Sequence, residues 1–158
     1  MKSSKIILLA ILLSSAFLQG CWNDDPDPVQ KSEEELAIEA LTGTGTLTWS
    51  VSGGGAVIKD GTAVTDLYST FELTLSANSS SKTYTSKNSN DLFTNAGTWS
   101  FVGTNYDKIT LSGTNPASDR EISYTRTGDN LKLLFSIPLP GGRTNAVVGN
   151  YEFDLLKK

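Results

Sequence analysis

The sequence predicts an all-β fold: eight antiparallel strands closing into an up-and-down barrel, with one short N-terminal helix. Three observations predict it. Beyond Gly43 the apolar residues alternate with Ser and Thr at a period of two, the repeat of a strand with one buried face. Clusters of Gly, Asn, Asp and Pro interrupt that alternation at short intervals. The chain is 158 residues long with 38% hydrophobic residues, enough for one packed domain. Eight consecutive strands with short connections would expose two edges as an open sheet, and closure removes both.

The helix comes first. Ser32 followed by Glu35 is a capping box, Leu36, Ala37, Ile38, Ala40 and Leu41 follow, and Gly43 stops the run. Strand spans are expected near 45–52, 67–76, 82–87, 97–102, 107–113, 120–127, 130–137 and 146–156. Leu47, Trp49 and Val51 mark the first; Phe71, Leu73 and Leu75 the second; Tyr84 the third; Trp99 and Phe101 the fourth. Ile109 and Leu111, then Ile122 and Tyr124, then Leu131, Leu133, Phe135 and Ile137, and finally Tyr151, Phe153 and Leu155 mark the rest. Gly53-Gly54-Gly55 reads as a flexible turn, since it lacks the Lys-Ser/Thr of a phosphate loop. The segment from Asn88 to Asn95 reads as another turn.

Residues 1–20 are expected to be a targeting signal. Lys2 and Lys5 precede the apolar run Ile6–Leu13, which is broken at Ser14 and Ser15, short of the about 20 residues a spanning helix needs. Leu18-Gln19-Gly20-Cys21 resembles the bacterial lipobox, which implies that Cys21, the only cysteine, is acylated as the mature N-terminus. Removal of residues 1–20 takes away two lysines and no acid, moving the net charge from −4 to −6. Residues 21–31 then form an acidic tether containing Asp24, Asp25 and Asp27 with Pro26 and Pro28. These acids resemble the surface-export signal of Bacteroidetes lipoproteins; equally, they read as a solvated spacer. They lack the glycine and distal glutamate of a calcium loop.

Residues 32–158 are expected to be the barrel domain. Its charges balance beyond residue 39, which argues against a nucleic-acid partner, because phosphates demand a basic excess. With no His in the chain, Ser-His-Asp and Cys-His catalysis and imidazole metal sites are closed. The chain is therefore expected not to be an enzyme and to need neither cofactor nor metal. Glu152 and Asp154 have a spacing open to paired carboxylates, but they share the face opposite Tyr151 and Phe153 and read as solvated.

The lipobox, the helix ending in Leu41-Thr42-Gly43, Trp49 on the first strand, Gly97-Thr98-Trp99-Ser100-Phe101 and the Val148-Gly149-Asn150-Tyr151-Glu152-Phe153 ending together resemble the lipocalin-like lipoproteins of Bacteroidetes. Lipocalins proper carry Gly-x-Trp on the first strand; here Leu47 stands at the glycine position, and Gly97-x-Trp99 lies mid-chain. The resemblance implies a calycin-type barrel, anchored in the outer membrane or at the cell surface.

Inside such a barrel Trp49, Phe71, Trp99 and Phe135 either fill the core or line a pocket for one small apolar ligand. Tyr124 and Arg126 share a face with Ile122. Arg126 thus either meets an anionic headgroup or sits at the barrel mouth, stacked on an aromatic or solvated. Two readings follow: a lipid-anchored envelope protein holding a small apolar ligand, or a solid-core module of an outer-membrane protein complex.

Overall fold

The computed structural model describes residues 30–139 and 146–158. Cys21 and the signal, and all of the tether but its last two residues, lie outside the described residues. Helix α1 spans Glu33–Thr42. Strands β1 (Thr46–Ser50), β2 (Ala56–Lys59) and β3 (Thr62–Ala63) follow, then a 3-10 turn at Thr65–Tyr68. The remaining strands are β4 (Glu72–Ala77), β5 (Lys82–Lys87), β6 (Ala96–Phe101), β7 (Lys108–Leu111), β8 (Ile122–Thr127), β9 (Asn130–Ile137) and β10 (Gly149–Lys157).

Every pairing is antiparallel, in the order β1, β4, β5, β6, β7, β8, β9, β10, and β10 returns to β1 through Trp49↔Lys157 and Ser50↔Leu156. Eight strands therefore close on themselves as an up-and-down barrel, the architecture expected from eight consecutive strands with short connections. The alternation is plainest in β9, where Leu131, Leu133, Phe135 and Ile137 are buried while Leu134 and Ser136 face water. In β10 Tyr151, Phe153 and Leu155 point inward.

The structure departs from the expected strands in three places. The first strand stops at Ser50 because Gly53 and Gly54 take φ of 96° and 123°, a region that side chains disfavour. At Gly55 a Cβ would lie 2.5 Å from the Asp154 carbonyl oxygen, so the triplet is a required close crossing and not merely a flexible turn. The chain resumes as β2, pairing Val57 with Phe153 on β10, so β1 and β2 lie end to end along one edge of that strand. A two-stranded hairpin, β2–β3, thus joins the barrel where the sequence suggested only a turn. The span expected to start a strand at residue 67 instead holds the 3-10 turn, and β4 begins at Glu72. Phe71, expected on that strand, precedes it, yet is fully buried.

Helix α1 carries the expected capping box: Glu35 N–H donates to Ser32 Oγ at 3.2 Å, and Ser32 N–H donates to the Glu35 carboxylate at 2.8 Å. The bond from Ser32 N–H first, and then a bond that the Ser32 hydroxyl donates to the same carboxylate at 3.0 Å, hold the Glu35 carboxyl below its ordinary range. Gly43 closes the helix at φ 60°, its N–H donating to Glu39 O. The helix packs on β1 and β4.

Gly97 on β6 is needed for space. A Cβ there would stand 2.7 Å from Ser112 Oγ and 2.8 Å from the Tyr84 ring, whose hydroxyl donates to Ser112 O. Gly97→Ala is expected to cost about 1–3 kcal/mol through overpacking, measured as a lower denaturant midpoint at unchanged slope.

Candidate functional site

The upper half of the barrel interior, away from α1, is filled by rings. Phe153 at its centre lies 5.1 Å from both Tyr68 and Phe71 and 5.9 Å from both Phe93 and Phe135, centroid to centroid. Tyr151 stacks on Phe135 at 5.3 Å. Edge-on and offset arrangements of this kind add to simple area burial. Phe71, Phe93 and Phe153 are at most 1% exposed.

Phe93 was not expected inside. It comes from the segment between β5 and β6, which reads as a polar turn but folds inward, burying Leu92 and Phe93. Asn88, Asn90 and Asp91 adopt φ of 55°, 50° and 58°, a region Asn and Asp enter more readily than other side chains. Ser89 Oγ donates to Phe93 O, Asn115 Nδ2 donates to the carbonyls of Asp91 and Phe93, and Ala117 N–H donates to Leu92 O. The main chain of the plug is thereby satisfied from two loops. The one signal for it in sequence is the Leu92-Phe93 pair standing alone among polar residues.

The lower half holds the other predicted residues. Trp49 is fully buried, and its indole N–H donates to Leu41 O on α1 at 2.9 Å. The Arg126 guanidinium lies 5.4 Å from the Trp49 ring centroid. Its Nη1 donates to Ala40 O at 2.7 Å and to Glu39 O at 3.3 Å, and its Nε donates to Gly128 O at 2.9 Å. Helix α1 has no basic residue in its own last turn, so Arg126 supplies the positive charge its C-terminal carbonyls favour. Arg126 at the barrel mouth is stacked on an aromatic. Trp99, 3% exposed, donates from its indole N–H to Ser76 O and meets Phe101 edge-on. Tyr124 is half-buried, and its hydroxyl donates to Tyr106 O.

The predicted set thus splits in two. Phe71 and Phe135 share the upper ring cluster through Phe93 and Phe153, while Trp49 and Arg126 form a pair under α1. Among the described residues the four buried Ser and Thr hydroxyls each donate to a backbone carbonyl: Thr42 to Ile38, Ser50 to Phe71, Ser86 to Thr94 and Ser89 to Phe93. On the outer face Glu152 and Asp154 flank Lys132, which pairs with both; the hydrogen bond that Lys132 donates to Glu152, then the Asp154 charge, raises the lysine pKa. Open clefts of about 330 Å³ beside α1 and about 430 Å³ at the rim of β8–β10 lie at the surface.

Burial raises the pKa of Tyr68, Tyr84, Tyr124 and Tyr151 above the ordinary 10.0, and Tyr124, next to the Asp107 carboxylate, is pushed up to about 12. The folded state keeps these protons longer than the unfolded chain does. The stability they add is complete below pH 10 and is lost as pH rises through the folded values. Alkaline titration is therefore expected to show tyrosinate absorbance and unfolding rising together above pH 10. Tyrosinate from these residues formed well before loss of the folded signal would contradict their burial.

No protein-family model, curated protein or solved structure matches the chain.

Proposed function

We propose that the protein is a non-enzymatic, lipid-anchored module of the bacterial cell envelope, held at the outer membrane or cell surface through Cys21. On this reading it is a lipocalin-like lipoprotein whose barrel is a solid scaffold, and its outer faces and loops meet a protein partner. The observation that carries the reading is the packed interior: Phe93 from the β5–β6 segment and Phe153 from β10 meet at 5.9 Å where a ligand's tail would otherwise lie. An eight-stranded barrel has room for its own side chains or for one small ligand, and here rings occupy that room. The hydrogen bonds that Arg126 directs at the carbonyls of Glu39, Ala40 and Gly128 support the same reading, since a fatty-acid headgroup would have to compete with all three.

Native mass spectrometry of the protein extracted from its own membrane, followed by calorimetry with a medium-chain fatty acid, tests this. The expected results are a mass equal to the acylated chain alone and no heat at millimolar ligand. A retained small apolar molecule would overturn the solid-module reading in favour of a carrier. So would a titration with the negative heat-capacity change of apolar burial that Arg126→Gln weakens.

A further inference from the structure

Helix α1 is fastened to the barrel mainly at one end. Of its ten residues only Leu41 and Thr42 are fully buried, and Leu36 in its middle is 53% exposed. Three consecutive carbonyls of its last turn are gripped from the barrel: Glu39 O and Ala40 O by Arg126 Nη1, and Leu41 O by the Trp49 indole. The first turn is held by an ion pair between Glu34 and Lys82 at 2.9 Å, with the Glu34 side chain 44% exposed. Directly after the helix, Gly43 and Gly45 take φ of 60° and 141°, two joints within three residues at which the backbone turns without a Cβ penalty.

We propose that α1 is a hinged strap, latched by Arg126 and Trp49 and turning at Gly43–Gly45, that leaves the barrel as a unit while the eight strands stay closed. None of the barrel's strand pairings runs through the helix, since closure is made by β10 on β1. A detached ten-residue helix is too short to hold its shape in water, so release and melting of α1 are one event. Elements with few buried apolar contacts are the ones that open below the global unfolding free energy. Because α1 joins everything upstream of Ser32 to the barrel, a pull or a binding event on the N-terminal segment reaches this latch before it reaches any strand. The inference holds whether or not Cys21 carries a lipid.

Native-state hydrogen exchange on the full mature chain tests it. Amides of Ile38–Thr42 are expected to exchange at least about tenfold faster than those of β9 and β10. Arg126→Gln is expected to speed the α1 amides by a further tenfold to hundredfold, about what loss of a hydrogen bond to a charged group brings. It should speed β9 and β10 by no more than the same factor, since the latch is absent from the strap-open and the unfolded states alike, so that α1 still exchanges at least about tenfold faster than they do. Lys82→Gln should move α1 by no more than about fivefold, the reach of an exposed ion pair. Exchange of α1 at the rate of β9 and β10 in the unaltered chain would overturn the strap, since α1 would then open only by global unfolding. No acceleration of the α1 amides by Arg126→Gln, or acceleration of β9 and β10 without them, would overturn the latch. Should the Gln variant fail to fold, Arg126→Lys, which keeps the charge over Trp49 but not the forked donors, carries the same comparison.

Discussion

Phe153→Ala is expected to lower the unfolding free energy by about 3–5 kcal/mol, the range for removing a large ring from a packed core. The reason is its position. Phe153 is fully buried at the centre of the cluster, with Tyr68, Phe71, Phe93, Phe135 and Tyr151 all within 6.2 Å, centroid to centroid. Those neighbours come from the 3-10 turn, the residue just before β4, the β5–β6 plug, β9 and β10, so no single element can collapse into the gap. Glu152→Ala, one residue away on the opposite face, removes a half-buried surface pairing with Lys132 and is expected to cost no more than about 1 kcal/mol. Chemical denaturation at unchanged slope measures both. Equal midpoints would mean that the facing of β10 is wrong.

Cys21→Ser is expected to move the protein completely from the membrane fraction to the soluble one. Serine cannot take the thioether-linked lipid, and among the described residues no helix is long and apolar enough to cross a membrane in its place. Each buried methylene contributes about 0.8 kcal/mol, so two or more acyl chains anchor stably where one would only dwell. Fractionation of the two forms decides the matter. Unchanged membrane partition of the serine variant would remove the anchor from the proposed function while leaving the barrel untouched. Because the solid-core reading is tested by ligand retention and the anchor by partition, failure of one is distinguishable from failure of the other.

The fold was legible to the extent that it is written in short-range periodicity. Alternation at a period of two in residues 130–137 and 149–157 assigned which side of β9 and β10 faces inward, because successive side chains of a strand point to opposite faces whatever the partner strand is. Ser32 and Glu35 placed the start of α1 by a bond between residues three apart. Turn residues placed most strand ends for the same local reason. The candidate site was legible only as a list: Trp49, Phe71, Trp99, Tyr124, Arg126 and Phe135 read as one inward row, while the ring cluster holds two of them and the pair under α1 another two.

Tertiary contact decided the rest, and in each case the deciding contact joins residues far apart in the chain. Arg126 could have met solvent, an aromatic ring or an anion; its partners are the carbonyls of Glu39 and Ala40, more than eighty residues upstream, which local pattern does not encode. Leu92 and Phe93 sit in a segment whose composition is that of a turn, and they are buried because the barrel mouth offers apolar surface that an eight-stranded closure leaves unfilled. The break between β1 and β2 follows from the approach of Gly55 to the Asp154 carbonyl, 99 residues later. Strand period, caps and turn chemistry act within a few residues and are readable there. Which rings fill the barrel, and which main-chain carbonyls the Arg126 guanidinium meets, is settled only when closure brings distant segments into contact.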